Sequence, residues 1–346
     1  MKTQIINTQA QPEAGTTLGA KIIRDGGLVA FPTETVYGLG ADGLNNQAVL
    51  RIFEAKGRPA DNPLILHVAK KSDVRELWIK IPEKARILMD TFWPGPLTII
   101  ASRTNAVPDA VTAGLSTVAI RMPSDKTARM LIQKAGTPIA APSANRSGKP
   151  SPTTAAHVYE DMKDRIPLIL DGGACKYGVE STVISLAGEP TLLRPGAITL
   201  EMLEAVIGHV EVAGSVLQPL KNGEIAASPG MKYKHYAPNA EVIVVSGEPQ
   251  AAAREILTQY VRYSFDGRKC VIAATEETKQ FYNGKNYVIL GRRSEPATLC
   301  ATLFSTLRSM DTDADLIFAE GIPADHAGLA FMNRLLRAAG FQVIYV

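Results

Sequence analysis

Apolar residues in the first two thirds of the chain form short runs separated by segments of helical periodicity. Apolar positions recur at helical spacing over 49–56, and Asn45 or Asn46 just before them is a suitable helix cap. Further helices are predicted at 82–92 and 125–136, and strands within 27–40, 63–69, 97–102, 117–123, 137–145, 168–173 and 181–188. This irregular alternation predicts a mixed α/β sheet rather than a purely parallel one.

The segment 223–242 interrupts this pattern. It lacks apolar periodicity and concentrates glycine, proline, serine and aromatic rings, which is typical of a linker. We therefore predict a first domain over 1–212, a linker over 213–239 and a second domain over 240–346. The second domain is predicted to be a small doubly wound, Rossmann-like α/β domain. Its apolar strand segments, which alternate with helical segments, are 240–247, 268–275, 286–291, 314–321 and 341–346.

The bulk composition excludes several classes of protein. The 346 residues are 46% hydrophobic and 21% charged, as in soluble globular proteins, and the formal charge of +3 is too small for nucleic-acid binding by bulk electrostatics. Cys175, Cys270 and Cys300 match no metal or disulfide spacing. No apolar run approaches membrane-spanning length, and the N-terminus lacks the apolar region of a secretory signal. We expect a cytoplasmic protein with no membrane contact.

Gly38, Gly40 and Gly43 match the spacing of a dinucleotide-binding fingerprint, with Asp61 near the position of a ribose-binding acid. A true fingerprint leads straight into a helix, whereas 44–46 intervenes here before helical periodicity begins. We therefore expect these glycines to permit a tight turn at a strand end. The sequence contains no G-x-x-x-x-G-K-[ST] motif, which excludes a P-loop.

The stretch EAKGRPADNP at 54–63 has two interpretations. Lys56 lies in a last helical turn, Gly57 is a natural residue to end the helix, and Pro59 prevents its continuation. Alternatively, Lys56 and Arg58 are two cations that flank a glycine and hold a polyphosphate. The local sequence favours the helix end. An exposed cation there contributes only ~0.3–1 kcal/mol, so Lys56→Ala should cost little stability.

Small polar side chains follow several predicted strands. The loop 141–153 carries hydroxyls, an amide and two cations, which is typical either of a polar loop rich in turn formers or of a ligand site. Ligands of open α/β sheets bind at the carboxyl ends of strands. Asn62 and His67 flank an aliphatic strand, where a lone histidine is more often a core residue. The other polar residues placed at strand ends are Thr35, Arg121 and Ser181.

The sequence also lacks several kinds of catalytic motif. It has no cysteine nucleophile near a histidine, no G-x-S-x-G elbow and no metal-ligand cluster. Cations and hydroxyls without a nucleophile favour phosphoryl or nucleotidyl transfer, because positioning and charge neutralisation do most of the catalysis in those reactions.

Five motifs occur in a fixed order along the chain. They are FPTETVYGLG at 31–40, KGRPADNPL at 56–64, PSANRSGKPSPT at 142–153, LDGG at 170–173 and SPGMKYKHYAP at 228–238. Together they resemble the long form of the threonylcarbamoyl-AMP synthase family, the YrdC-like enzymes, over nearly the whole chain. The resemblance implies a YrdC-like twisted, mixed, open sheet with flanking helices, followed by an accessory domain. The family's characteristic tetrad corresponds to Lys56, Arg58, Ser143 and Asn145.

The resemblance implies a nucleotidyltransferase that joins L-threonine, bicarbonate and ATP into L-threonylcarbamoyladenylate and releases pyrophosphate. A partner transferase complex then moves the threonylcarbamoyl group to the adenosine beside the anticodon of certain tRNAs. The tetrad is implied to be catalytic. The implied ATP-binding residues are Lys56, Arg58, Asn62, Thr117, Ser143, Asn145, Ser151, Arg194 and Tyr236. The implied L-threonine-binding residues are Thr35, His67, Arg121, Ala141 and Ser181, with Arg121 as a clamp on the carboxylate.

Three expectations concern a metal, a lid and the partners. No carboxylate in the matched motifs is an evident metal ligand, so Mg²⁺ is expected to arrive with ATP. The run KYKHY at 232–236 is predicted to fold over the site as a lid, with Tyr236 against the nucleotide. Because this run mixes cations with stackable rings, two alternatives stay open: weak binding of tRNA or double-stranded RNA, and a non-catalytic RNA-binding protein.

Overall fold

The computed structural model describes residues 2–219 and 236–346. Two sheets form within these ranges, one in each predicted domain, and helices pack against both. Residues 232–235 of the predicted lid lie outside the described residues. Within the described ranges, no helix combines the length and the apolar character needed to cross a membrane.

The first sheet has eleven strands in the described chain, in the spatial order β1-β8-β2-β3-β7-β4-β6-β5-β9-β10-β11. It is mixed, as predicted, because β4 pairs with β6 in parallel while β5 pairs with β6 in antiparallel orientation. The strands are β1 Gln4–Asn7, β2 Val29–Phe31, β3 Gly38–Asp42, β4 Ile65–His67, β5 Leu97–Ser102, β6 Thr117–Arg121, β7 Ile139–Ala140, β8 Leu168–Asp171, β9 Thr182–Ser185, β10 Thr191–Arg194 and β11 Glu211–Val212.

Helices cover both faces of the first sheet. Val29 and Phe31 pack with side chains of α1 and α6, while Ala30 and Leu39 pack with α2 on the other face. Because both faces are buried, the strands read as apolar runs rather than as alternating patterns. The helices are α1 Pro12–Arg24, α2 Asn46–Lys56, α3 Val74–Leu77, α4 Glu83–Phe92, α5 Asp109–Thr112, α6 Lys126–Ala135, α7 Ala155–Met162 and α8 Leu200–Ile207.

Helix α2 begins and ends as its sequence predicts. The side chain of Asn45 accepts hydrogen bonds from the amides of Gln47 and Ala48, which caps the first turn. Gly57 ends the helix with φ 62°, in the left-handed region that glycine enters without a Cβ penalty. The helix therefore stops where Lys56 can reach the loop that follows β7.

The predicted turn at a strand end is found at Gly43, which lies in the turn just after strand β3, but the prediction is wrong for Gly38 and Gly40, which lie within that strand. A Cβ on Gly40 would meet Ile139 at 2.7 Å and the ring of Phe31 at 2.8 Å. The glycines are thus required by close side-chain packing across the sheet, and a sequence without its tertiary neighbours does not reveal that need.

The second domain is a five-stranded parallel sheet in the described chain, with the order β14-β13-β15-β12-β16. This confirms the predicted doubly wound α/β class. Its strands are β12 Glu241–Ser246, β13 Cys270–Thr275, β14 Tyr287–Gly291, β15 Leu316–Glu320 and β16 Val343–Tyr345, and its helices are α9 Pro249–Phe265, α10 Pro296–Met310 and α11 His326–Ala338.

The two domains share their hydrophobic cores. Val36 and Val179 of the first domain pack in the core of the second, and Leu329 of the second packs in the core of the first. Part of the predicted linker is also packed, since Val216 is buried and its carbonyl accepts from Asn333 at 2.5 Å. The division at 212 and 239 stays a prediction, and Val216 packs in the core of the first domain while it is bonded to α11 of the second.

Candidate active site

A polar cleft lies at the carboxyl ends of β4 and β6, beside the loop after β7 and the turn before β9. The structure brings together most of the residues that the sequence singled out. Those lining the cleft are Thr35, Lys56, Arg58, His67, Arg121, Ala141, Ser143, Asn145, Ser181, Arg194 and Tyr236.

Lys56 is buried, with only 3% of its surface exposed. Its ammonium donates to the carbonyl oxygens of Ser143 at 2.5 Å and Asn145 at 2.6 Å. In return, the amide of Ser147 donates to the carbonyl of Lys56 at 3.0 Å. Burial lowers the pKa of the ammonium well below its usual value, and the charge of Arg58 acts in the same direction. The expectation of an exposed helix-end cation is therefore wrong, and Lys56 fixes the shape of the loop.

The loop after β7 uses its own donors internally. Ser143 Oγ donates to Asn145 Oδ1 at 2.5 Å, and Asn145 Nδ2 donates to the carbonyls of Arg146 and Lys149, both at 2.8 Å. A side-chain amide has two N–H donors, so both of those of Asn145 are engaged. The predicted donation from Ser143 and Asn145 to phosphate stays a prediction, and a phosphate would have to replace these bonds.

Arg121 holds a buried carboxylate at the end of β6. Its guanidinium lies 2.8 Å from Glu34 Oε1 and donates to Thr35 Oγ1 at 2.8 Å. All three side chains are buried. Burial acts to raise the pKa of Glu34, but the charge and hydrogen bond of Arg121 outweigh it and leave that pKa below its usual value. The site therefore contains an ionised Glu34–Arg121 pair with a hydroxyl at its side.

His67 faces the same cleft from the end of β4. Burial, aided by the charge of Arg121, lowers its pKa to about 3. The imidazole is therefore neutral at physiological pH. Its Nδ1 has no hydrogen-bond partner among the described residues. A neutral ring with an open nitrogen suits hydrogen bonding to a ligand rather than charge pairing.

Arg194 and Ser181 form the opposite wall. Arg194 donates through Nε to the carbonyl of Ser181 and through its terminal nitrogen to Ser181 Oγ, both at 3.1 Å. The hydroxyls of Ser181 and Thr98 lie 2.8 Å apart. Burial lowers the pKa of Arg194 to about 10, which leaves it a cation near neutral pH. This wall thus offers a buried positive charge.

Glu180 and Tyr236 close the cleft where the two domains meet. Glu180 Oε1 accepts from Ser151 Oγ at 2.5 Å, and its Oε2 accepts from Arg334 of α11 at 2.7 Å. The ring of Tyr236 stacks on Phe304 of α10 at 5.1 Å between ring centroids. The second domain therefore supports residues that line the cleft.

Three predicted residues are not among those that line the cleft. Ser151 is fully buried behind Glu180, and Thr117 starts β6, about 13 Å along the strand from Arg121. Asn62 is also fully buried, its carbonyl accepts from Arg58 at 3.2 Å, and neither polar atom of its amide has a partner among the described residues. Their roles in ATP binding stay predictions.

The cleft does not fit a resident metal ion. Glu180, the carboxylate that lines it, accepts from Arg334, and Glu34 beside it forms an ion pair with Arg121. Across residues 2–219 and 236–346, no group of three or more His, Cys, Asp or Glu side chains is arranged to hold a metal. The donor set suits anions and hydroxyls instead.

Sequence reasoning missed Glu34 and Glu180. Both are acids beside predicted site residues, Thr35 and Ser181, at the ends of apolar segments. Lys and Glu are almost never fully buried without a partner. An acid inside a buried motif was thus a usable signal, although its arginine partner could not be read from the sequence.

Two family models match the chain. The model described as "Telomere recombination", which covers the Sua5, YciO and YrdC proteins, matches residues 21–196. The model described as "Threonylcarbamoyl-AMP synthase, C-terminal domain" matches residues 198–340. The two matches follow each other along the chain with little between them.

Relatives and solved structures match over almost the full length. The chain is 48% identical to the threonylcarbamoyl-AMP synthase of Pyrococcus abyssi, over 99% of this chain and 100% of that protein. It is 49% identical to the synthase of Bacillus subtilis, over 94% of this chain and 93% of that protein. The structure of P. abyssi Sua5 complexed with L-threonine matches with a TM-score of 0.91 and 46% identity, covering 99% of this chain and 100% of that one.

Proposed function

The chain belongs to the threonylcarbamoyl-AMP synthase family, and we propose that its cleft makes L-threonylcarbamoyladenylate from L-threonine, bicarbonate and ATP, with release of pyrophosphate. One observation carries this assignment of the cleft. A loop fixed by Lys56, beside the cations Arg58 and Arg194, opens into the same cavity as Arg121, the partner of Glu34. The same cavity thus contains a cationic part that suits a polyphosphate and a second part that suits an amino acid.

The threonine side of the cleft is the part around Arg121. Arg121 would pair with the substrate carboxylate, and the relative from P. abyssi was solved with L-threonine. Thr35 and the neutral His67 provide hydrogen-bonding groups for the amine and hydroxyl. A site that bonds the hydroxyl disfavours valine, because its buried polar groups would be left unpaired.

The nucleotide side is the part lined by Arg58, Arg194 and Tyr236. The threonine amine adds to bicarbonate, giving a carbamate and water, and a carbamate oxygen then attacks the α-phosphorus of ATP as pyrophosphate leaves. Arg58 and Arg194 would neutralise the charge that develops on the phosphates. The buried amide of Asn62, which lacks a partner among the described residues, supports a polar ligand nearby. Mg²⁺ would enter on ATP as part of the substrate.

The product is expected to be used in tRNA modification, as in the rest of the family. We propose that a separate transferase complex takes the threonylcarbamoyl group from the adenylate to tRNA. We also propose a cytoplasmic location, which the free thiols of Cys175, Cys270 and Cys300 support.

An amino-acid panel tests this function. The protein is incubated with ATP, Mg²⁺, bicarbonate and one amino acid at a time, and pyrophosphate release is measured. We expect release to depend on both threonine and bicarbonate, with valine at least a hundredfold poorer, since a site that bonds a hydroxyl discriminates by ~10⁴ or more. Release that is independent of threonine would refute the synthase assignment, whereas tight tRNA binding with no release would favour the RNA-binding alternative.

A further inference from the structure

We propose that Arg334 is a positioning residue that the second domain contributes to the nucleotide side of the cleft. This proposal rests on the proposed function for the identity of the nucleotide. Arg334 lies on α11, is fully buried and donates to Glu180 at two points: Nε to Oε2 at 2.7 Å and a terminal nitrogen to the carbonyl at 3.3 Å. Its guanidinium also lies 5.7 Å from the ring centroid of Tyr236. Both partners line the cleft.

Two buried arginines act on the same carboxylate. Burial acts to raise the pKa of Glu180, but the charges of Arg334 and Arg194 outweigh it and leave the pKa below its usual value. The carboxylate is therefore a fixed negative charge between two cations. Arg334 and Ser151 occupy its two oxygens, while Arg194 directs two hydrogen bonds to Ser181 instead.

The two arginines therefore have different roles. Because Arg334 of the second domain pairs with Glu180, the charge of Arg194 remains directed at the cleft. Without Arg334, the buried carboxylate is left uncompensated, and Arg194 is the cation next to it. Arg194 would then turn from Ser181 to Glu180, and its charge would be lost to the phosphates.

A second interdomain arginine offers a matched control. Arg308 of α10 is partly buried, with 9% of its side chain exposed, and lies 2.5 Å from Asp161 of the first domain. It donates to the carbonyl of Pro150 at 2.6 Å as well. Neither Arg308 nor Asp161 lines the cleft. Removing Arg308 therefore breaks another arginine–carboxylate contact between the domains while leaving Glu180 and Arg194 in place.

The experiment compares Arg334→Met with Arg308→Met in the full chain. KM for ATP is measured by pyrophosphate release, and Kd for a non-hydrolysable ATP analogue is measured by titration calorimetry. We expect Arg334→Met to raise both constants at least tenfold, and Arg308→Met to change them less than twofold. A loss of folded protein alone would lower the apparent kcat and leave KM unchanged, so the two roles are distinguishable.

The double variant Glu180→Gln/Arg334→Met provides the decisive comparison. With the carboxylate charge removed, nothing draws Arg194 away, so the analogue Kd should return to within threefold of the parent. No recovery, or an Arg334→Met variant that binds the analogue like the parent, would overturn the proposal. Should Arg334→Met fail to fold, the same two constants are measured for Arg334→Lys, because a lysine cannot reproduce the two-point contact of Arg334 with Oε2 and the carbonyl of Glu180. If the parent protein shows no threonine-dependent pyrophosphate release, the proposed function is refuted. The Kd of the ATP analogue, measured by calorimetry, would still test the role of Arg334.

Discussion

The ammonium of Lys56 donates at 2.5 Å to the carbonyl of Ser143, which lies 87 residues later in the chain. This bond joins the end of α2 to the loop after β7. Two halves of the candidate site that are remote in sequence are thereby held by one side chain. The same lysine carries the first prediction.

Lys56→Met should lower both activity and stability. The carbonyls of Ser143 and Asn145 would lose their donor inside the protein, and each unsatisfied buried group costs about 1–3 kcal/mol. Urea unfolding should show a loss of roughly 2 kcal/mol or more, and threonine-dependent pyrophosphate release should fall at least a hundredfold. Lys21→Met is the control, because its ion pair with Asp25 is exposed. Full activity in Lys56→Met would mean that the loop keeps its shape unaided.

Glu34→Gln should make the protein more dependent on threonine for its stability. Breaking the buried pair leaves Arg121 uncompensated and costs roughly 3 kcal/mol or more. The substrate carboxylate can replace the missing charge, so saturating threonine should raise Tm more in the variant than in the parent. Glu13→Gln removes an exposed ion pair with Lys134 and should leave the threonine shift unchanged. Equal shifts in all three proteins would place the threonine carboxylate elsewhere.

His67 should make stability fall as the pH is lowered from 6.5. Its pKa is about 3 in the folded protein and about 6.5 unfolded, so between these values the unfolded chain binds a proton that the folded chain does not. Stability then falls by up to ~1.4 kcal/mol per pH unit through this window. Urea unfolding at pH 7, 6 and 5 should show the slope, and His67→Gln should remove most of it. An unchanged slope in the variant would assign it to other groups.

Gly178→Ala should weaken the docking of the two domains. Gly178 has φ 70°, and a Cβ there would meet the carbonyl oxygen of Cys300 on α10 at 2.5 Å. Gly57→Ala is the control, because its φ is 62° but nothing lies within 4 Å of the added Cβ. Both variants carry a left-handed strain of about 1–2 kcal/mol. We expect only Gly178→Ala to lose further stability. KM for ATP is compared between Gly178→Ala and the parent, and it should rise in the variant because Glu180 lies two residues later.

Local structure was largely predictable from the sequence. The cap at Asn45, the stop at Gly57 and the strand around His67 follow from short-range rules that hold within a few residues. Strand β3 was missed because its glycines signal turns, whereas their need arises from Phe31 and Ile139 on neighbouring strands. A pattern of single residues contains no information about such neighbours.

The site was predictable as a set of residues but not as a set of bonds. The motifs, the strand-end positions and the resemblance singled out Lys56, Arg121 and Arg194, and the structure places all three in one cleft. Which partner each cation holds depends on contacts such as Arg121 with Glu34 and Arg334 with Glu180. These pairs join segments 87 and 154 residues apart, counted from 34 to 121 and from 180 to 334, and no spacing rule spans that distance.

The exchange of Val36, Val179 and Leu329 between the two cores has a thermodynamic consequence. Unfolding either domain would expose apolar side chains of the other domain to water, so partial unfolding has a hydrophobic cost in both domains. Two sheets that would ordinarily behave as separate cooperative units are thereby coupled into one. A scanning calorimeter should record a single heat-absorption peak, and the accessory domain acts as part of the enzyme's fold rather than as an appendage.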